Sequence, residues 1–532
     1  MRGEPSSASP RSPRLCEIIS YSDLASLRGA VDSSSFGCKR SDCYADQMID
    51  LSAPNQSSLA SATGALASAH PGRSGVRLVS DGLDAFAVRV QSARLAQRTL
   101  DVQTYIWRDD STGRLIAHEM LLAADRGVQV RVLLDDMDAR PRDLALEALD
   151  AHANISVRMF NPFRTRSGVL RTIVELAQRG KRLNHRMHNK CWIADGALAI
   201  AGGRNLGDEY FAAGDGINFI DLDVLMIGPA VQQCALEFER YWNCSLSVPI
   251  ARLRKYLTGK LAPHKLRERL QRSAKDTDVA PDPKQVAVPS PEQLLAPPLT
   301  WSRSVRVVAD HPTKAMGVSP ADSSRVLNSM AAEIRAASRE VLLISPYFVP
   351  GMGGTAALRA LAFQGAKVEV LTNSLAATDV AIVHSGYTKY RIPLLEAGVR
   401  LFELKAAAVL DDARRRLRVG TSRASLHTKA AVIDGERVFV GSFNIDPRSA
   451  ELNCEMGVWI RSASLAATLR QSFQKGTDPR RSYELSLRTP ERIQWRERSE
   501  GREAIHEREP HASWMRRLTA SVLEALPIES QL

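Results

Sequence analysis

Two short runs in this chain combine residue types that can do acid–base and nucleophilic chemistry, and the two runs match. His188-Asn-Lys190-Cys-Trp-Ile-Ala-Asp195 and His427-Thr-Lys429-Ala-Ala-Val-Ile-Asp434 both read H-x-K-x4-D. Each is followed by a small-residue turn and an asparagine, Gly202-Gly203-Arg204-Asn205 and Gly441-Ser442-Phe443-Asn444, and the asparagine falls seventeen residues after the histidine in both copies. Side chains alternate along a strand, so an extended His-x-Lys puts an imidazole and an ammonium on one face. One such pair is an anion site that contains a nucleophile. Two of them, brought together, would grip one phosphate from both sides. One imidazole attacks phosphorus, while the other protonates the leaving alcohol and then deprotonates the incoming alcohol or water. Lys190, Lys429, Asn205 and Asn444 offset charge on the non-bridging oxygens, roughly 3 kcal/mol per well-placed donor. Ser442 is a further candidate to bind substrate oxygens, although its counterpart is Gly203. The scheme calls for no metal or other cofactor, and no cluster with metal-ligand spacing stands out.

A nucleophilic histidine needs an acceptor on its other ring nitrogen. Two acidic runs lie beyond the asparagines, Asp221-Leu-Asp223-Val-Leu-Met and Asn453-Cys-Glu455-Met-Gly-Val. Aligning them pairs Asp223 with Glu455, and each is expected to orient the histidine of one half. Asp195-Gly196 and Asp434-Gly435 are hairpin-turn signals, so the motif aspartates read as turn formers rather than catalysts.

The motifs sit inside longer repeated units. Arg98 to Trp107 parallels Arg339 to Phe348, and Asp125 to Leu134 parallels Phe363 to Thr372. Strand, helix, strand and motif hairpin therefore recur, which suits two α/β halves about a pseudo-twofold axis with the site between them. The halves are placed at 75–247 and 303–475. Residues 1–74 are rich in Ser, Ala and Pro and read as disordered or loosely packed. Residues 248–302 read as a linker, first basic (nine Lys or Arg between Arg252 and Lys275) and then Pro-rich. Residues 476–532 read as a charged tail with a short amphipathic end, in which Trp514, Leu518, Val522 and Leu526 recur near helical spacing.

A formal charge of +12 favours an anionic partner. Aromatic residues make up 6% of the chain, with no basic stretch interleaved with aromatics to stack bases, so a nucleic-acid partner is disfavoured. Arg164 to Arg186 holds seven basic residues around short apolar pairs. Such a segment would rest on an anionic bilayer, each cation contributing about 1 kcal/mol. No apolar run of transmembrane length and no signal peptide is visible. Seven cysteines without framework spacing argue against a disulfide scaffold. A cytoplasmic, reducing setting, peripheral at the inner membrane face, is the expectation.

The doubled H-x-K-x4-D with matched asparagines resembles the phospholipase D superfamily. Within it, Gly202 to Phe211, Asp221-Leu-Asp-Val, Pro346-Tyr-Phe-Val-Pro-Gly351, Val383-His384-Ser-Gly-Tyr387 and Leu526-Pro-Ile-Glu are similar to bacterial cardiolipin synthases of the C type. The resemblance implies two pseudo-symmetric α/β/α halves with mixed sheets and one active site at their interface. It implies transfer of a phosphatidyl group onto phosphatidylglycerol, with phosphatidylglycerol or phosphatidylethanolamine as donor, through a phosphatidyl-His188 intermediate. His427 would be the acid and then the base, or the two histidines would exchange these roles, and His384 would line the head-group pocket. Hydrolysis to phosphatidic acid and cleavage of nucleic acid are the alternatives that the motifs leave open.

Overall fold

Each H-x-K-x4-D run ends in the central hairpin of a large mixed sheet. The computed structural model describes residues 57–524 apart from 138, 140–141, 164–174, 176–179, 181, 215, 255–256, 258, 276–289, 318–322, 407–422 and 500–501. Most of the expected N-terminal segment, most of the basic stretch 164–186 and the closing Leu526-Pro-Ile-Glu lie outside the described residues.

The first half supplies β1 (Ser74–Val79), β2 (Thr99–Thr104), β3 (Gln129–Asp135), β4 (Ile155–Phe160), β5 (Cys191–Ala194), β6 (Leu198–Gly202), β7 (Ile217–Ile220), β8 (Asp223–Ile227) and β9 (Ser247–Pro249). The remainder supplies β10 (Thr300–Ser302), β11 (Val305–Ala309), β12 (Glu340–Ile344), β13 (Lys367–Asn373), β14 (Arg400–Leu404), β15 (Arg423–Leu426), β16 (Ala430–Ile433), β17 (Arg437–Gly441), β18 (Met456–Arg461), β19 (Ser482–Thr489), β20 (Arg492–Ser499) and β21 (Arg502–His506). The nine-stranded sheet runs β10-β1-β8-β6-β5-β2-β3-β4-β9, and the ten-stranded sheet runs β11-β18-β17-β16-β12-β13-β14-β19-β20-β21. The order β1-β8-β6-β5-β2-β3-β4 is repeated as β11-β18-β17-β16-β12-β13-β14, so the internal repeat is a structural one. In both sheets the strands joined by helices are parallel and the hairpin strands antiparallel, because a hairpin reverses direction and a helical crossover does not.

Alternation along the central strands sends side chains to two different cores. Trp192, Leu198, Ile200, Leu225 and Ile227 face the outer core of the first half. Ala431, Ile433, Phe439 and Trp459 face that of the second. The intervening residues, among them Ile193, Ala199, Ala201, Val224, Met226, Val432, Val438, Val440 and Val458, share one central core to which both halves contribute. Where β6 lies close to β17 and β18 the facing side chains are small, Ala199 and Ala201 against Val438, Val440 and Val458. The two halves thus belong to one compact unit.

Three boundaries differ from the sequence expectation. Ser58–Ser68 is a helix whose Leu59 and Thr63 are buried, so packed structure begins well before residue 75. In the presumed linker, β9 and β10 extend the first sheet. The helix Pro263–Lys275 buries Leu266, Leu270 and Ala274 in the first core. Its arginines pair outward, Arg267 with Asp125 at 2.7 Å and Arg269 with Asp109 at 2.6 Å; the basic run is the polar face of an amphipathic helix. The presumed tail is a β-meander, β19–β21, added to β14, with Tyr483, Leu485 and Trp495 buried along one face. The helix Trp514–Glu524 follows it. Ala512 and Ala520 face Leu375, while Trp514, Met515, Leu518 and Val522 point outward. The helix therefore docks through Ala520 and through Arg516, which donates to Leu375 O at 3.0 Å and Ala376 O at 2.9 Å, and the large apolar stripe stays exposed.

The motif aspartates stand at the hairpin corners. Asp195 and Asp434 both have φ of 53°, followed by Gly196 at 60° and Gly435 at 72°, the left-handed pair that a tight hairpin requires. Their carboxylates do more than shape the turn. Asp195 accepts the backbone N–H groups of Gln97, Arg98 and Thr99, and Asp434 accepts those of Ser338, Arg339 and Glu340. Each thereby ties its motif hairpin to the start of the neighbouring antiparallel strand, β2 or β12. Asp195→Ala is expected to lower stability by roughly 3 kcal/mol, the cost of stranding several partly buried donors. Asp434→Ala should cost less, because Ser338 and Arg339 are solvent-exposed. Urea denaturation of the two variants beside wild type measures both, and equal midpoints would refute the clamp.

Candidate active site

His188 and His427 are each held by backbone from the opposite half. The His188 N–H donates to Cys454 O at 2.8 Å, and the Cys454 N–H donates to Arg186 O. The His427 N–H donates to Ile220 O at 2.8 Å, where β15 runs parallel to β7. The residues His188–Lys190 and His427–Lys429 are extended but lie just before β5 and β16 rather than inside them. Their backbone has left its own sheet to bridge the two halves.

The same crossing orients the imidazoles. His188 Nδ1 lies 2.9 Å from Glu455 Oε2, and His427 Nδ1 lies 2.6 Å from Asp221 Oδ2. A carboxylate on Nδ1 keeps a proton there and leaves Nε2 free to face a substrate. Glu455 stands where the sequence placed an orienting group. Asp223 does not: it is fully buried in ion pairs with Arg89 at 2.9 Å and Arg204 at 3.3 Å. Asp221, two residues earlier, takes the role expected of it. The registers explain the difference. Gly202 pairs with Asp223 on β8, whereas its counterpart Gly441 pairs with Gly457 on β18. Asp221 is thus the partner of Glu455 in the repeat. A two-residue slip keeps every side chain on the same face, so alternation cannot detect it. A Cβ at Gly203 would lie 2.2 Å from Asp221 Oδ1, which accounts for glycine opposite the shorter acid.

Ser442, the counterpart of Gly203, does not turn its hydroxyl to a substrate. It donates to Glu455 Oε2 and receives the Met456 N–H at 3.0 Å. His384 is tied into a charged cluster. Its Nε2 lies 2.8 Å from Arg391 and 3.2 Å from Glu509, and Arg391 pairs in turn with Glu403 at 2.7 Å. His384 lines a small cavity with Tyr347, Phe348 and Tyr387, but its nitrogen is spent on the guanidinium. Among the described residues, that cluster and Glu497–His506–His511 group histidine with carboxylates at metal-binding distance. The Arg391 guanidinium fills the first, and the second belongs to the added meander, so neither offers a metal to the paired histidines.

The paired groups are deeply buried, and burial sets their charge. It pushes the His188 imidazole down to about 4, with Lys190 acting in the same direction against Glu455. It lowers His427 as well, helped by Lys429 and opposed by Asp221. Lys190 is brought down to about 7 and Lys429 to about 8, again chiefly by desolvation. Asp221 and Glu455 feel the same desolvation, which would raise them, but the histidine and lysine beside each outweigh it and hold both carboxyls below their usual range. The result is two neutral imidazoles on two ionised carboxylates, beside two lysines whose protons are loosely held: a site short of an anion. Lys190 Nζ donates to His188 O at 2.7 Å, and Lys429 Nζ donates to His427 O. Asn205 and Asn444 are both buried; Asn205 Oδ1 accepts the Ile106 N–H at 3.2 Å.

Aromatic rings that the sequence reading did not assign to the site wall it. Tyr105 meets His188 edge-on at 5.1 Å, while Tyr210 and Phe219 meet His427 at 5.3 and 4.9 Å. Tyr105 and Tyr210 were visible as part of repeated or family-like runs, but nothing in their spacing tied them to a histidine.

Comparison with known proteins bears on the same residues. Residues 90–242 and 330–476, which include both H-x-K-x4-D runs, match a family model described as "Cardiolipin synthase, PLD-like domain". The chain is 41% identical over 485 residues to cardiolipin synthase C of Escherichia coli strain K12, covering 88% of this chain and 99% of that one. It is 27% identical over 388 residues to a cardiolipin synthase of Geobacillus thermodenitrificans, covering 72% and 62%. The crystal structure of phosphatidylserine synthase from Haemophilus influenzae superposes with a TM-score of 0.52 at 14% identity, over 77% of this chain and 87% of that one, which is a likeness of fold.

Two outcomes follow from the electrostatics and the register. Protonated lysines bind an anion, so affinity for dimethyl phosphate, whose charge is constant, should be full below about pH 7 and fall as pH rises through about 7 and 8. Ordinary lysines would hold it to about pH 10, and calorimetric titration across pH 6–10 separates the two cases. Asp221→Asn should cut turnover on the order of a thousandfold with little loss of stability, by analogy with other carboxylate–histidine pairs. Asp223→Ala should instead cost roughly 3 kcal/mol of stability by stranding two buried guanidiniums. Parallel denaturation and rate measurements on the two variants give the contrast, and its reversal would restore Asp223 as the orienting group.

Proposed function

This chain belongs to the cardiolipin synthase family of the phospholipase D superfamily and is a phosphatidyltransferase of that type, and from that premise we propose that it moves a phosphatidyl group onto the glycerol head of phosphatidylglycerol without a metal. The observation that carries the reading is the crossed pair of buried contacts, His188 with Glu455 and His427 with Asp221. They leave two Nε2 atoms and two lysines for one phosphodiester.

In the first step His188 Nε2 forms a bond to phosphorus. The bond from phosphorus to the head-alcohol oxygen breaks, and His427 gives that oxygen its Nε2 proton. In the second step a hydroxyl of the acceptor passes its proton to His427 as its oxygen bonds to phosphorus and the phosphorus–His188 bond breaks. Lys190, Lys429, Asn205 and Asn444 offset the equatorial oxygens throughout. The free imidazoles are neutral near pH 7, so His427 must gain its first proton as the anionic substrate arrives. An incoming negative charge raises the affinity of both histidines and both lysines for protons. The donor is phosphatidylglycerol or phosphatidylethanolamine.

We place the enzyme at the surface of the bacterial inner membrane. Among the described residues, no helix is long and apolar enough to cross a membrane. The exposed stripe Trp514, Met515, Leu518 and Val522 fits contact with lipid. Transfer rather than hydrolysis depends on keeping water from the intermediate.

The test is lipid mass spectrometry on purified protein with phosphatidylglycerol vesicles, with and without phosphatidylethanolamine, in the presence of EDTA. Cardiolipin together with released glycerol or ethanolamine is expected. His188→Ala and His427→Ala should each lose turnover by orders of magnitude. Phosphatidic acid as the sole product would make the chain a hydrolase. Cardiolipin formation by both single variants would refute the two-histidine scheme, and loss of activity in EDTA would refute metal independence.

A further inference from the structure

The two halves are copies, and a phosphate group is itself close to symmetric, but the diester it belongs to has two unlike arms. Places where the copies part company around the site therefore bear on which arm goes where. The equivalences are fixed by hydrogen bonds. In the first half Trp107 bridges Leu206, and the Arg108 N–H donates to Leu206 O at 2.7 Å; in the second half Phe348 bridges Ile445, and the Val349 N–H donates to Ile445 O at 2.6 Å. Thr104 Oγ1 donates to Ile106 O as Ser345 Oγ donates to Tyr347 O. Tyr347 thus stands where the first half has Ile106, and Asp446 stands where it has Gly207.

The second half adds polar groups at these positions. Tyr347 Oη donates at 2.8 Å to Oδ2 of Asp379, an exposed residue on the loop after β13. Asp446 is buried, with one oxygen accepting the Ser449 N–H at 2.6 Å. Both carboxylates act electrostatically on Lys429, and Asp379 acts also on His427. Burial, with Glu455 nearby, pushes Asp446 up to about 7, the mark of a carboxylate with too few donors. Two residues before it, Asn444 Oδ1 is buried and meets no donor among the described residues. A tyrosine hydroxyl, two carboxylates and an unmet amide oxygen thus gather on the His427 side. Near His188 the positions equivalent to Tyr347 and Asp446 hold Ile106 and Gly207.

Extra carboxylates in a site built for an anion weaken phosphate binding unless another part of the ligand needs acceptors. Hydroxyl and ammonium groups are such ligands. We propose that Tyr347, Asp379 and Asp446 form the subsite for the polar alcohol arm, first the head alcohol that leaves and then the glycerol of the acceptor, while the acylglycerol arm, which stays bonded to phosphorus, runs past Ile106 and Gly207. The inference rests on the phosphatidyl-transfer reading and adds to it a direction. It sets the alcohol oxygen beside His427, which donates the proton, and leaves His188 to attack from the opposite side.

The test compares full-length wild type with Asp379→Asn, Tyr347→Phe and Asp446→Asn, the last of which retains an acceptor for the Ser449 N–H. The substrates are phosphatidylglycerol and phosphatidylmethanol, whose head carries no further hydroxyl, in the same mixed micelles. The readout is the ratio of kcat/KM for the two lipids, which cancels general losses of activity. Removing acceptors for buried hydroxyls should lower the phosphatidylglycerol to phosphatidylmethanol ratio about tenfold or more in at least Asp379→Asn and Asp446→Asn. Ratios within about twofold of wild type in all three variants would overturn the subsite while leaving the transferase reading intact. A wild-type protein inert on both lipids would overturn that reading and the subsite together.

Discussion

Each histidine in this protein is oriented by a carboxylate that belongs to the other half of the chain. Glu455 holds His188 and Asp221 holds His427, and the backbone N–H of each histidine is likewise accepted by the opposite half. Neither half has a complete site alone. The chemistry is therefore coupled to docking: the shared core that brings β6 against β17 and β18 also brings each imidazole to its acid. An internal repeat makes this economical, since one pair of complementary surfaces, used twice about a pseudo-twofold axis, yields two contacts and one cleft.

The cost of the arrangement is burial of charge. Two imidazoles, two ammoniums and two carboxylates share a region with little water, and the desolvation penalty appears as histidines and lysines held well below their ordinary proton affinity. Donors that are buried before a ligand arrives need little further desolvation when one binds. Around the site, rigid supports are duplicated. Asp195 and Asp434 lock the motif hairpins to the adjacent strands, and Asp223 with Arg89 and Arg204 fixes the backbone that carries Asp221, Arg204 donating to Asp221 O at 2.6 Å. The acids nearest the histidines in sequence and space thus divide into those that orient an imidazole and those that hold the frame.

The repeat is symmetric where the ligand is symmetric and diverges where it is not. His, Lys and Asn recur at matched positions, but Tyr347 and Asp446 replace Ile106 and Gly207, and Ser442 with Glu455 replaces Gly203 with Asp221. The last exchange conserves the function by a different reach: a longer acid with a serine beneath it, or a shorter acid lying over a glycine.

The sequence by itself determined the chemistry and the repeat. Residue type and spacing are properties of the chain, and two H-x-K-x4-D runs with asparagines at one offset needed no coordinates to be read as one phosphodiester site. The alternation that sends Ile193 and Val432 to one face and Trp192 and Ala431 to the other was legible for the same reason. The tertiary structure decided what depends on register and on which surface meets which. A two-residue shift between β6 and β8 leaves hydrophobic alternation untouched yet exchanges Asp223 for Asp221. Arg267 and Arg269 looked like a basic linker until Leu266, Leu270 and Ala274 found the first core. The alternating charges of β19–β21 looked like a tail until one face of the meander met β14. The crossing of acids between halves lay beyond the sequence altogether, because contacts between residues more than two hundred positions apart are set by packing two surfaces and leave no trace in local spacing.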